Sequence, residues 1–531
     1  MNEFITKLAN SWQITEAGKK KLDQVITNPK GEVYAFNDSE SPVLIAAAMA
    51  RLSRRGDDMR ITYLDEFAGK NEQADALIGR VVTAYGDDSV QQLVGIHLVV
   101  ENASNLLTKL LEWGRLGAYL EQSTRYIFFD KLDESGKYKF YTPTDLAALT
   151  IEYDQTLTQI FELYSRIVRG VTAYVRNQHA EPTDKSEKVA WQGATRAQAC
   201  DAARPVLPVA TKATVGLFLS AQALESLIIH LESDPLPEAQ AIGKQILDES
   251  RKVLPAFLER TDVPERGGAA VAYRATGRSN LRKLADKYIK DDHLIPIDAV
   301  TLVSYWPKNE YDLIPEILFE SSNAPLESIY EQVSKLTAEQ KSEILATAIG
   351  ERLNRRHKPG RSFEIPHYEF QITGDYGTFR DLQRHRIVDG FEWQRLTPDI
   401  GYDIPDLIKA AGFEKDFIEA FNLSENLYKT MQAKGFSAEA QYATLLGHKM
   451  RYRFMLNARA SFHFLELRTS PQGHPGYRKI CQHMFNKIAE VHPNIASSMK
   501  FINEGEDPGL TRLAAERATQ FKLEQLDNKA N

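Results

Sequence analysis

A chain of 531 residues, 43% hydrophobic, 26% charged and with a net charge of −7, has enough apolar material for about two to four domains. The acidic balance argues against a general affinity for nucleic acid, which needs a dominant basic field. Two cysteines, Cys200 and Cys481, exclude a disulfide framework and a thiolate metal site, and they favour a reducing compartment. The opening "MNEFITKLANSW" lacks the apolar stretch of a signal peptide. No run of about 18 apolar residues occurs, so no membrane span is expected and a cytoplasmic location is. G-x-G-x-x-G after a strand, the P-loop, H-E-x-x-H, C-x-x-C and G-x-S-x-G are all absent, so any active site is built from scattered residues.

In chain order, "PVLIAAAMARLS" (42–53) is expected as a helix. The stretch 90–126 reads as a β-rich run, "LVGIHLVV", feeding a helix that ends in charge. Residues 217–233, "LFLSAQALESLIIHLES", open an amphipathic helix, a turn and a second helix. The join of two halves is placed near 262–290, where Gly, Pro and charge accumulate. "IDAVTLVSY" (297–305) is given the place in the second half that 42–53 has in the first. Residues 363–396, with the alternating "HYEFQI", repeat the pattern of 90–126. "FMLNARASFHFLELRTS" (454–470) aligns without gaps on 217–233 at an offset of 237, and "EVHP" (490–493) follows as "KVLP" (252–255) does. Extra sequence falls around 131–190 and 306–350, and the charged tail from about 515 is expected to fray.

The second half carries Arg384-His385-Arg386, Asn457-Ala458-Arg459 and Arg468 eleven residues after Asn457. The first half carries Glu121-Gln122-Ser123-Thr124-Arg125-Tyr126 and "ARPVLP", whose Arg204 lies sixteen residues before Ser220. These motifs resemble those of the flavin-dependent thymidylate synthases, the ThyX family, whose signature joins R-H-R to S-x-R-Y and is followed by ARxVLP and N-A-R. The resemblance covers most of the chain as two tandem copies, neither intact. Where the second copy should have S-x-R it has Gln394-Arg395-Leu396, and Gln441 takes the ARxVLP arginine's place. The first copy reads Trp113-Gly114-Arg115 for R-H-R, Ser220-Ala221-Gln222 for N-A-R and Leu231 for the last arginine.

In this family each active site is shared between subunits. One subunit gives the R-H-R and late arginines; its neighbour gives the E-x-S-x-R loop and the ARxVLP arginine. Here the first role survives in the second half and the second role in the first. The resemblance therefore implies an α+β chain of two ThyX-like domains, each a mixed sheet with packed helices, forming a pseudo-dimer. Their spans are 1–265 and 285–510, with a charged tail at 511–531. It also implies one composite site, the reciprocal one being lost.

The implied substrate is dUMP, reductively methylated at C5 to dTMP with FAD as cofactor and methylenetetrahydrofolate and NADPH as co-substrates. Glu121, Gln122, Ser123, Thr124, Arg125, Arg204, Asp381, Arg384 and Arg468 are the implied nucleotide ligands, with Arg468 catalytic beside the uracil. Arg384, His385, Arg386, Asn457, Arg459, His463 and Glu121 are the implied FAD ligands. Arginine forks suit phosphate oxygens, and a fixed cation beside the ring suits the charge that develops there. His463 replaces a flavin-contacting Asn of the family, and Asp381 a nucleotide-contacting Gln. The family's four-subunit assembly implies a homodimer of this chain, a pseudo-tetramer.

Plainer readings exist for each motif. Arg-His-Arg alone is a solvated basic turn at a helix end, and Asn457 and His463 can be satisfied polar groups on an apolar helix. The basic run "RLNRRHKPGR" (352–361) is expected as a solvated loop, and both cysteines as inert buried thiols. Related one-carbon transfer to another pyrimidine nucleotide, and non-catalytic nucleotide binding, are the alternative functions.

Overall fold

The computed structural model describes residues 90–290, 298–505 and 510–530, with short stretches of the first 35. The helix expected at 42–53 lies outside the described residues. The first half runs β1 (Val33–Ala35), β2 (Gly95–Ser104), α1 (Asn105–Leu111), β3 (Gly117–Glu121), α2 (Thr150–Gln178), α3 (Lys185–Ala203), β4 (Lys212–Ser220), α4 (Ala221–Glu232) and α5 (Pro237–Arg251). After α6 (Gly267–Tyr288) the second half runs β5 (Val300–Trp306), β6 (His367–Asp375), α7 (Tyr376–Gln383), β7 (Asp389–Trp393), α8 (Glu414–Ala433), β8 (Lys449–Asn457), α9 (Ala458–Arg468) and α10 (Pro475–Val491). A helix, α11 (Thr511–Ala530), ends the described chain.

Each half has one four-stranded sheet, ordered β1-β2-β4-β3 and β5-β6-β8-β7. The topologies are identical, and the class is α+β. Every pairing in both sheets is antiparallel, where mixed sheets were expected. The strands form because apolar residues alternate: along β6 Tyr368, Phe370 and Ile372 are fully buried while Glu369 and Gln371 are not. Equivalent residues cap equivalent helices. Ser104 and Asp375 accept the N–H of Leu107 and Thr378 at 3.0 and 2.8 Å, starting α1 and α7. Ser220 and Asn457 do the same for α4 and α9, at 3.2 and 2.7 Å.

The halves meet about a pseudo-twofold axis that can be read from backbone bonds. The Val209 N–H donates to the Thr444 carbonyl, and the Leu446 N–H to the Leu207 carbonyl, both at 2.8 Å. At the offset of 237, Leu207 corresponds to Thr444 and Val209 to Leu446, so these two bonds are each other's symmetry mates. The bridge between Pro208 and Leu445 sits on the axis itself, joining a residue to its own counterpart. Helix α2 packs against α8 across the same axis, where Phe413 fills the notch over Gly170.

Four sequence expectations are corrected. The described part of 297–305 enters β5 (Val300–Trp306), an edge strand matching β1 at 33–35. The repeats at 217–233 and 454–470 begin as the last turns of strands β4 and β8, not as helix; Phe454 and Leu456 are buried in strand alternation before Asn457 caps α9. The segment joining the sheets falls within 262–290 as placed, but as the 22-residue helix α6 and not as a break in the chain. The tail, expected to fray, is α11, which lies along α3 with an Arg517–Glu187 ion pair of 2.6 Å.

Candidate active site

The site lies where α1 and α7 meet across the axis. Helix α7 is one face of a short amphipathic turn after β6, all eight of its residues buried, and it presents Arg380, Asp381 and, at its end, Arg384 toward the first half. Arg204 begins the turn after α3 and is 2% exposed. Its Nη1 donates to Asp381 Oδ2 at 3.0 Å, and Arg384 Nη2 donates to Asp381 Oδ1 at 2.9 Å. Arg204 Nη2 is buried and has no hydrogen-bond partner. Arg125 grips Asp201 with two bonds, Nε and Nη2 donating at 2.8 and 2.9 Å, and its Nη1 donates to the Tyr477 hydroxyl at 3.2 Å.

Arg468 completes the group from α9. Its Nε donates to His385 Nε2 at 2.7 Å, and its guanidinium lies 5.3 Å over the Tyr477 ring, on which Arg125 also sits at 5.5 Å. Tyr477 thus links an arginine of each half. Accepting that bond requires a lone pair on His385 Nε2. Burial first, then Arg468, His463 and Arg384, holds His385 well below the usual imidazole range, so it is neutral with its proton on Nδ1.

A second layer crosses the axis beneath. Glu121 takes Lys109 from its own half at 3.1 Å and Arg380 from the other half; Lys109 also bonds Glu112. Burial pushes the Glu121 carboxyl up, but Arg380, Lys109 and Arg384 outweigh it and hold the group well below the carboxylate range. Asp381 behaves alike: burial opposes ionisation, while Arg204, Arg384, Arg125 and Arg468 prevail and keep it charged. The ion-pair network joins five cations to four carboxylates, and Arg468 adds a sixth cation that has no carboxylate partner among the described residues, only the neutral imidazole and the Tyr477 ring. Such a cationic excess, with a buried guanidinium nitrogen left free, has hydrogen-bonding and charge capacity that an anion could satisfy.

The thymidylate synthase complementing proteins (Thy1) match residues 35–256 and 301–494, once in each half. The chain belongs to this family. The two matches coincide with the two sheets, and the chain is a tandem duplication of the family's domain, related to the flavin-dependent thymidylate synthases. A UPF0159 protein of Chlamydia muridarum is 30% identical over 519 residues, covering 94% of this chain and 97% of its own. Similar proteins of Chlamydia pneumoniae (31% over 516 residues; 93% and 96%) and Thermoplasma acidophilum (29% over 500; 88% and 97%) also match through both halves. Among solved structures, the UMP/dUMP methylase PolB of Streptomyces cacaoi aligns at 16% identity, TM-score 0.30, over 38% of this chain and 94% of its own. ThyX of Helicobacter pylori, complexed with FAD and dUMP, aligns at 16%, TM-score 0.28, over 41% and 93%.

Around this arginine cluster of a Thy1-family chain the remaining expected residues divide. Ser123 accepts the Arg125 backbone N–H at 3.2 Å, Thr124 is buried and Gln122 is exposed beside them. Arg386 is exposed and makes no ion pair among the described residues. His463 is exposed, its ring 6.0 Å from that of His385. Asn457 spends its oxygen on capping α9, and Arg459 donates to the Pro359 carbonyl at 2.9 Å and reaches Glu364 at 3.5 Å. The basic run at 352–361 is mostly exposed, but Arg352 is buried and forks onto Glu466 with two bonds of 2.6 Å.

Sequence reading missed Asp201, Tyr477, Arg380 and Lys109. Asp201 lies three residues before Arg204, a spacing that puts both at one end of α3, and that signal was available. Tyr477 and Arg380 had none, since their partners Arg125 and Glu121 are 352 and 259 residues away.

Proposed function

We propose that this protein is a flavin-dependent methyltransferase that converts dUMP to dTMP in one composite site between its halves. The observation that carries this is the free, buried Nη2 of Arg204, set among Arg125, Arg384 and Arg468 contributed by both halves. A phosphate monoester is a dianion with several acceptor oxygens, and it would satisfy that nitrogen and the cationic excess together. Arg125, Ser123, Thr124, Gln122 and Arg204 bind the phosphate and ribose, and Arg468 faces the uracil. His385 holds Arg468 by its Nε, leaving the two terminal nitrogens to stabilise charge developing on the ring. A preorganised donor of that kind contributes about 2.7–4 kcal/mol to lowering the barrier. Asp381 fixes Arg204 and Arg384 at the spacing a bound anion requires.

Arg384, His385 and Arg386 suit the anionic part of FAD, because Arg386 is exposed without an acidic partner and the neutral His385 presents a flat ring. His463 lies beside them, its ring 6.0 Å from that of His385, and Asn457 and Glu121 are further residues we assign to FAD. FAD would supply hydride chemistry for the one-carbon unit given by methylenetetrahydrofolate, with NADPH as reductant. An enzyme thiol attacking C6 is not part of this reading. Cys200 and Cys481 are fully buried, and burial pushes the Cys481 thiol up to about 12 and Cys200 higher still.

The test is tritium release from C5-labelled dUMP with methylenetetrahydrofolate, NADPH and FAD. Release that requires all of them supports the reading. Binding of dUMP without release, with FAD supplied, sinks it. That result would favour a nucleotide-binding protein without turnover, a second reading supported by Arg459, whose fork is engaged by Pro359 and Glu364.

A further inference from the structure

At the position reciprocal to the arginine cluster, a cavity of about 1150 Å³ opens between the halves. In the repeat correspondence Trp113 stands at the place of Arg384, Leu231 of Arg468, Gln441 of Arg204 and Leu396 of Arg125. Four arginines are gone, and with them the donor set of the first site. Gln441 is spent on structure, accepting the Leu396 N–H at 3.2 Å.

Cations have returned from a different source. Helix α6, which belongs to neither repeat, brings Arg278, Arg282 and Lys283 to the cavity wall. Arg278 is engaged by the Ser233 carbonyl and Asp234, both at 3.0 Å, and exposed Arg282 pairs with Asp286 one turn on at 3.4 Å. Facing it is Arg395, half-buried in the same cavity, with no hydrogen bond or ion pair among the described residues. Burial, then the positive charges of Arg282 and Arg278, pull Arg395 below the usual guanidinium value against the opposing charge of Asp234, which lines the cavity together with Glu232 and Glu392. His230, 7% exposed, also lines the cavity. It stacks flat on Trp113 with ring centres 4.3 Å apart, and its Nε2 is buried with no partner. Phe391 and Trp393 form an aromatic wall beside Arg395. A buried polar nitrogen and a half-buried cation, both unpaired and on one cavity, each carry a desolvation cost that a ligand would relieve.

We propose that this cavity is a second ligand site, for an organic anion with a flat apolar body. Arg395 and Arg282 take the phosphate or carboxylate head, Phe391 and Trp393 take the ring, and His230 Nε2 bonds a polar edge. The occupant differs from the ligand of the first site, because none of Arg125, Arg204, Arg384 and Arg468 is repeated here. The assignment does not depend on methyl transfer occurring.

Calorimetric titration of the full chain with AMP, 4-aminobenzoate and inorganic phosphate tests it. An Arg125→Gln background silences the first site, and Trp113 and Trp393, two of the chain's five tryptophans, provide a fluorescence signal. Saturable binding of AMP or 4-aminobenzoate is expected in that background, weakened at least tenfold by Arg395→Gln and by the surface change Arg282→Gln. The fluorescence response is expected to fall in Trp393→Phe, leaving the part that Trp113 reports. AMP alone binding assigns a phosphate head, 4-aminobenzoate alone a carboxylate head. No binding by either in the Arg125→Gln background, or binding indifferent to both Arg395→Gln and Arg282→Gln, overturns the proposal.

Discussion

Arg204 in the first half donates to Asp381 in the second at 3.0 Å, and both side chains are nearly fully buried. The pair joins the two halves within the arginine cluster, beside the Arg380–Glu121 pair that also crosses them. Asp381→Asn leaves Arg204 facing Arg384, Arg125 and Arg468 with its main counter-charge removed. Breaking one partner of a buried pair costs about 3–5 kcal/mol. A fall in unfolding free energy of that order is expected by denaturant titration. Added phosphate is expected to restore part of it, because a bound dianion replaces the missing charge. Wild-type stability in Asp381→Asn would refute this account.

Arg125→Ala and Arg468→Ala sit in different halves yet are expected to have the same effect, a loss of dUMP affinity of at least about a hundredfold, as for buried charged donors to phosphate. Calorimetry with each variant measures it. If Arg125→Ala binds dUMP normally while Arg468→Ala does not, the shared site is wrong.

The buried histidines set the acid limit. Burial holds His448 and His230 at about 3, below the ordinary 6.5. Between those values the unfolded chain binds protons that the folded chain refuses. Stability is therefore complete above about pH 6.5 and falls as pH drops toward 3. These two groups together imply a slope of roughly 2–3 kcal/mol per pH unit. His385 and His474, both held well below the usual range, steepen it. Thermal unfolding is expected to shift down sharply between pH 6.5 and 5; an unchanged midpoint across that interval would contradict it.

Gly447 lies against Pro205 and Phe421 at the join of the halves. A Cβ there would come within 2.6 Å of Pro205 Cβ and 2.7 Å of Phe421 Cζ. Gly447→Val is expected to cost about 1–3 kcal/mol by overpacking, read as a lower melting temperature.

The four-subunit assembly of the family leads us to expect two of these chains together. Light scattering of the purified protein is expected to give a dimer, and a monomer would count against it.

Much of the site was legible because its motifs are short and local. Arg384-His385-Arg386 and Ser123-Thr124-Arg125 keep their spacing within one turn-sized stretch, so each is recognisable by itself although the other copy has lost it. What was not legible depends on distant contacts. Tyr477 carries no motif, and only the fold brings it under two arginines. Helix α6 was obscured for a different reason: "ERGG" reads as a break in the chain. The structure gives Gly267 another role, since a Cβ there would stand 1.7 Å from the Thr261 carbonyl oxygen. The glycine permits a close backbone approach, and the helix starts from it.

The symmetric backbone bonds of Leu207, Val209, Thr444 and Leu446 have a genetic consequence. In a dimer of identical chains, any substitution strikes both sites at once, so neither can change without the other. Joining the copies in one chain gives each position its own codon. Residue 204 can stay arginine while its counterpart, residue 441, becomes glutamine. The fold kept its symmetry, and the two clefts became free to evolve apart.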